Sequence, residues 1–340
     1  KLTGFESAMY YRPHEQLATY DYRYNHRVYR HNARIEMRMP YGDLQSMTKT
    51  PIAQPRDVVF QTDSDGFRNA RDYHGQRYVL VGDSFIAALG DTQDAMLNVQ
   101  LKRDYGIASY NLGHPGNLHD YLAYIDGFRA RHGDQATILL FLFEGNDFAE
   151  PLPDLVKKKY SAAGLFWKRY YHIFSDTGVY RLTKSLYKRL SKLDEIERAD
   201  NVRLFGVAGQ TMAFHAPYID ATRQREYRPD PRIEQALVAL GSRLGQVFFI
   251  PTKYRVYHKH LEAGAALPNV YWEALNAVCL KNKLACTNLT DALTAAADEG
   301  LKTKEFLWWN DDTHWNQKGM AVAARVVAER LKGQAFPKNL

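Results

Sequence analysis

From Tyr78 onward, short continuous apolar runs alternate with longer stretches of helical periodicity. YVLV (78–81), ASYNL (108–112), ILLFLF (138–143), VFFI (247–250) and ACTNL (285–289) predict strands, and ILLFLF, apolar at every position, predicts a strand buried on both faces. Between them DAMLNVQLKRDYG, LHDYLAYIDGFRARHG, RIEQALVALGSRLG and VYWEALNAVCLKN predict helices, and QKGMAVAARVVAERLKG predicts a closing one. Strands and helices in alternation imply a mainly parallel sheet covered on both sides, a three-layer α/β/α sandwich.

Two segments break the alternation. Residues 1–77 are rich in Tyr, Arg and His, and ARIEMRMP (33–40) alternates apolar and charged positions with a period of two, as an edge strand or hairpin arm would. This segment is expected to pack as an extension, ending at DSDGFRN, on a catalytic domain over residues 78–335. The second segment, at about 151–201, interleaves Lys157, Lys158, Lys159, Lys168 and Arg169 with Phe166, Trp167, Tyr170, Tyr171 and Tyr180. Such a basic, aromatic helical insertion suits stacking on sugar rings, holding anionic groups or docking on a membrane surface. A solvated helical hairpin with its own small aromatic core fits the same residues.

The length, 340 residues, suits one elaborated α/β unit. The formal charge of +7 favours anionic partners, and it also serves solubility alone. Nucleic acid is excluded as the expected partner, because no zinc-finger, helix-turn-helix or ribonucleoprotein signature occurs. No run reaches the roughly 18 apolar residues of a membrane-spanning helix. A chain starting at Lys1 rather than Met is expected to have lost a signal peptide or membrane anchor. Cys279 and Cys286, in VCLKNKLAC, suit either a disulfide in an oxidising compartment or a pair of buried thiols. No metal site is expected, since no further His or Cys pair completes a ligand set at a recognisable spacing.

Four blocks carry candidate chemistry, each after a predicted strand or before the last helix, at the sheet edge where open α/β folds place their sites. In LVGDSFIAALG (80–90), a glycine turn would set the Ser84 hydroxyl and N–H at the start of a helix, where negative charge is stabilised. In YNLGHPGN (110–117) the Gly113 N–H, and in LFEGNDF (142–148) the Asn146 amide, would join the Ser84 N–H in an oxyanion hole. In WWNDDTHWNQKG (308–319), His314 would serve as the base for Ser84, with an upstream carboxylate fixing its tautomer. Asn117, Asp147, Trp315 and Trp167 are the expected substrate contacts.

In this order the blocks resemble the SGNH (GDSL-like) hydrolase superfamily, whose four named residues match Ser84, Gly113, Asn146 and His314, over about residues 78–150 and 235–332. Many members place the aspartate three residues before the histidine, which makes Asp311 the expected triad carboxylate. Asp312 is the alternative, because DTHWNQKG is also similar to the polysaccharide O-acetyltransferase branch, including the alginate acetylation proteins, with its Asp-x-His-Trp arrangement. VFFIPTKYRVYHKHL (247–261) resembles the same group of secreted or membrane-anchored proteins. The long stretch between GND and DDTH departs from the compact esterases and weakens any transfer of their substrate preference.

The resemblance implies serine-dependent O-acyl, in particular acetyl, transfer to a bacterial extracellular polysaccharide through an acyl-serine, in the periplasm or at the cell surface. It needs no cofactor, and its acyl donor would come from a membrane O-acyltransferase, with an anionic or neutral polysaccharide as acceptor. A carbohydrate or lipid esterase (deacetylase) with the same triad is the first alternative, and a non-catalytic glycan-binding protein the second.

Overall fold

The computed structural model describes residues 12–21, 26–148, 201–262 and 266–333, with scattered helical positions between 164 and 183. Most of the expected basic insertion lies outside the described residues. Five strands form one parallel sheet: β5 (Tyr78–Val81), β6 (Ser109–Asn111), β7 (Thr137–Phe143), β10 (Leu244–Ile250) and β11 (Cys286–Asn288), in the order β11-β10-β7-β5-β6. Antiparallel hairpins fill the remaining strand numbers: β1 (Ala18–Asp21) with β2 (His26–Tyr29), β3 (Arg34–Met39) with β4 (Arg56–Gln61), and β8 (Val202–Val207) with β9 (Gln210–His215).

The described helices are α1 (Pro13–Leu17), α2 (Leu97–Tyr105), α3 (Leu118–His132), α4 (Ala216–Arg223), α5 (Pro231–Leu240), α6 (Lys253–Leu261), α7 (Val270–Lys281), α8 (Thr290–Lys302) and α9 (Gln317–Gly333). None of them is long and apolar enough to cross a membrane.

The reason β7 is apolar throughout is visible in its neighbours. Side chains alternate between the faces of a strand. Leu139, Phe141 and Phe143 join a core shared with Phe248, Trp308 and the α9 residues Met320 and Val327. Ile138, Leu140 and Leu142 join the opposite core, with Tyr121 and Ile125 of α3, Leu237 of α5 and Leu275 of α7. The sheet is therefore covered on both faces, the α/β layering expected from the alternation.

Cys279 of α7 and Cys286 of β11 are joined by a disulfide, which resolves the open alternative for these two residues. ARIEMRMP forms β3, pairing Arg34 with Gln61 and Met39 with Arg56. Its partner β4 carries Arg56, which reaches the far end of the molecule's sequence.

Candidate active site

The chain leaves β5 at Gly82 and turns at once. Asp83 fastens the turn, with its carbonyl accepting from Ile86 and Ala87 N–H (3.1 and 3.0 Å) and its carboxylate from Phe85 N–H (2.8 Å). A regular helix was expected here, but residues 84–90 are a run of turns, and the first full helix, α2, starts at Leu97. Two features stop helix propagation. Ala88 adopts a left-handed φ of 52°. The buried Arg68 also draws the carbonyls of Ala87, Ala88 and Asp91 onto its guanidinium (3.0, 2.5 and 2.7 Å), away from any helical ladder. Ser84 is half-buried at the start of this turn, and its N–H donates to no protein group among the described residues.

Ser84 Oγ lies 2.8 Å from His314 Nε2, and His314 Nδ1 lies 2.7 Å from Asp312 Oδ1. A carboxylate only accepts, so Nδ1 carries the proton and Nε2 is left bare toward the serine hydroxyl. Burial disfavours an imidazolium, but the hydrogen bond and charge of Asp312, aided by Asp43 and Asp83, prevail and raise the His314 pKa. Burial likewise opposes the Asp312 charge. The bond to His314, with His314 and Arg56 nearby, overcomes that cost and holds Asp312 well below the usual carboxylate range.

This geometry corrects the expectation that Asp311 would be the carboxylate paired with His314. Adjacent residues in the turn take different partners. Asp311 Oδ2 accepts from Gly42 N–H and Gln54 N–H (2.7 and 2.8 Å), and its Oδ1 accepts from Arg56 (3.1 Å), which leaves nothing for the histidine.

The N-terminal segment supplies this second layer, which the sequence blocks did not reveal. Arg56 is buried and forks across both aspartates, donating to Asp311 Oδ1 at 3.1 Å and Asp312 Oδ2 at 2.6 Å, while its guanidinium stacks on Trp309 at 4.4 Å. Gly42 is required where it stands: a Cβ there would fall 2.4 Å from the Asp311 carbonyl oxygen. Asp43 accepts from Thr313 N–H (2.9 Å) and from the Thr313 hydroxyl (2.6 Å), and burial with the neighbouring Asp312 charge pushes its pKa up to about 6. On α1, burial first and then the charges of Arg12 and His314 hold His14 well below its ordinary value, so this imidazole sits within electrostatic reach of the relay. Lys253 of α6 completes the support. Its ammonium donates to the carbonyls of Ala213, Trp309 and Asp312 (2.7, 2.7 and 3.1 Å), and burial pulls its pKa down to about 7.

The remaining expected residues divide. Gly113 permits a close approach, since a Cβ would lie 2.5 Å from Ala87 N, but its N–H is spent on Asn111 Oδ1 at 2.9 Å rather than held toward a substrate. In the block after β7, Glu144 is tied to Arg255 and to Thr252 N–H (2.9 Å), and Asp147 accepts from Phe143 N–H (2.7 Å) and Tyr121 hydroxyl (3.0 Å). Asn146 alone among these three polar side chains keeps its amide unbonded, with Oδ1 buried and partnerless. Asp147 thus braces the loop internally through these bonds. Asn117 caps α3, accepting from His119 and Asp120 N–H (3.0 and 3.4 Å). Trp315 is fully buried against Phe85 and Trp308, which removes it from a substrate's reach. Trp167 is 66% exposed on a helical stretch, and no contact ties it to the serine.

The geometry is that of a serine with a histidine and a carboxylate in line at a sheet edge. Residues 220–340 match the family model of the SGNH hydrolase-like domain of the acetyltransferase AlgX. The match contains Asp312 and His314, and it agrees with the resemblance carried by the sequence blocks; Ser84, Gly113 and Asn146 lie before it. Over this C-terminal third the chain is similar to an enzyme domain of the acetyltransferase and hydrolase type. No curated protein matches the chain. Among solved structures, one crystal structure is 14% identical, with 75% of this chain and 95% of that chain covered and a TM-score of 0.36, a likeness too loose to carry fold or function.

Proposed function

We propose that this protein transfers an acyl group, in the first instance acetyl, onto a polysaccharide hydroxyl through an acyl-serine at Ser84. The observation that supports it most is the hydrogen-bonded line Ser84–His314–Asp312, together with the match to an acetyltransferase domain over the part that contains His314. His314 Nε2 takes the Ser84 proton as Oγ attacks the donor's ester carbonyl. Ser84 N–H and the Asn146 amide face the developing oxyanion. The leaving group takes the proton from His314; the same nitrogen then deprotonates the incoming sugar hydroxyl as its oxygen attacks the acyl carbonyl, and returns that proton to Ser84 Oγ as the acyl–Oγ bond breaks. Asp312 stays ionised throughout and stabilises the transient imidazolium.

The disulfide suits an oxidising compartment, so the periplasm or cell surface is the proposed location, with an acyl donor supplied by a membrane acyltransferase. The half-buried state of Ser84 favours a second reading, an esterase, because water would reach the same acyl-serine. The deciding experiment incubates wild type and Ser84→Ala with a chromogenic acetate ester and an oligosaccharide, and weighs the sugar by mass spectrometry. Acetylated sugar formed only by the wild type is the expected result. Ester cleavage that leaves the sugar unmodified would establish the esterase, and no Ser84-dependent turnover would leave a glycan-binding protein.

A further inference from the structure

Beside Asn146 opens a cavity of about 460 Å³, walled by Asn146, His215, Tyr218, Asp220, Gln224 and Tyr271. The volume falls in the range of small-molecule sites, about 300–1,000 Å³. A run of ring contacts joins it to the relay. Tyr218 meets Phe143 edge-on at 5.1 Å, Phe143 packs on Phe85 at 4.4 Å, and Phe85 lies 5.1 Å from the His314 ring.

The lining has the chemistry of a sugar site: two tyrosine rings, two amides and a carboxyl group. It also holds an unsatisfied ring nitrogen, because His215 Nδ1 is buried without a partner. Burial lowers the His215 pKa, so its ring stays neutral at neutral pH and presents one donor and one acceptor, as a hydroxyl requires.

The charge of the lining decides which sugar. Asp220 is its one acidic residue, and no lysine or arginine lines the cavity among the described residues. Arg223, on the same helix as Asp220, is turned onto Glu262 (2.6 Å) and the Tyr254 hydroxyl (2.7 Å). The whole chain carries +7, which would draw in a polyanion. At contact distance, however, the nearest charge dominates, because charges beyond a Debye length of about 8 Å are screened. We propose that this cavity receives the sugar unit that is acylated, and that it accepts neutral or amino sugars and disfavours uronates. This rests on the acyl-transfer reading of Ser84.

The test measures binding to the full-length chain, by calorimetry at low salt, of cellotetraose, a glucosamine tetrasaccharide and a uronate tetrasaccharide. The expected order is glucosamine, then glucose, then uronate, with at least a tenfold span that narrows as salt is added. Asp220→Lys should invert the order, and His215→Phe should weaken all of them about tenfold. Equal or tighter uronate binding by the wild type would overturn the proposal, as would an order that Asp220→Lys leaves unchanged. A fluorophosphonate serine probe tests the underlying reading separately. Failure to label Ser84 sinks acyl transfer, whereas labelling with the wrong sugar order sinks only the sugar assignment.

Discussion

The parallel sheet and the N-terminal segment serve the same site in opposite ways. Loops that end sheet strands present Ser84 and Asn146 and the loop before α9 presents His314, whereas residues 42–56 present no reacting group and instead grip Asp311 and Asp312 through backbone N–H groups and Arg56. Reacting atoms need exposure, and the charges that orient them need burial; the grip on Asp311 comes from Gly42, 269 residues earlier in sequence. A site whose second layer comes from a different segment can be disabled without any change to its reacting residues.

The largest effect that separates the two regions comes from the sheet side. Ser84→Ala or His314→Ala should lower acyl turnover by about 10⁴–10⁶, since such residues act as a unit. Asp312→Asn should lower kcat by about 10³–10⁴, because an amide no longer fixes the histidine tautomer. Asp311→Asn should stay within about tenfold in rate and lose about 1–3 kcal/mol of stability, the cost of unsatisfied buried donors. Steady-state kinetics paired with denaturant unfolding reads both, and equal rate losses at the two aspartates would break the distinction between them.

On the N-terminal side, Arg56→Met removes the guanidinium shared by two buried carboxylates and should cost about 3–5 kcal/mol in unfolding free energy. A change below about 1 kcal/mol would mean that the segment merely covers the site. Reducing the Cys279–Cys286 disulfide, which joins α7 to the edge strand β11, should cost about 2 kcal/mol with the rate per folded molecule unchanged.

The smallest effect is a pH displacement. His314 must be neutral to act as a base, and its pKa is raised above 6.5, so the acid limb of kcat/KM should lie above that value. Asp312→Asn should move the limb downward. The same shift stabilises the fold fully below the unfolded-state value of about 6.5, and that contribution disappears as pH rises through the folded value. An acid limb at or below 6.5 in the wild type would contradict the assigned partner.

The sheet was legible because burial on both faces writes itself into the sequence as unbroken apolar runs: ILLFLF sits within β7 and VFFI within β10. The closing helix followed from a 3.6-residue period bounded by QKG and LKG. The blocks around Ser84 and His314 were legible because turn residues follow a strand at the first and precede the closing helix at the second. The choice between Asp311 and Asp312 was not legible, since it depends on which way two neighbouring side chains turn, and that is set by Gly42, Gln54 and Arg56 from a distant segment. For Asn117 and Asp147 the sequence did not show the local hydrogen bonds they make, because a capping box and a buried brace use the same residue types as a binding loop. Arg56 and Arg68 lie in the segment read only as an N-terminal extension, and only the fold shows that burial makes them organisers. The hairpin β8–β9 and helix α4 come after the segment read only as a basic insertion, where no strand–helix rhythm is in place to continue; α8 (Thr290–Lys302) was missed although it follows a predicted strand.

The most direct test of the assigned relay is peptide mapping after brief exposure to an activated acetyl ester, carried out on wild type, Asp311→Asn and Asp312→Asn. An acetyl adduct on the Ser84 peptide in the wild type and in Asp311→Asn, strongly reduced in Asp312→Asn, is the predicted result. An adduct on another residue, or one lost in Asp311→Asn and retained in Asp312→Asn, would contradict it.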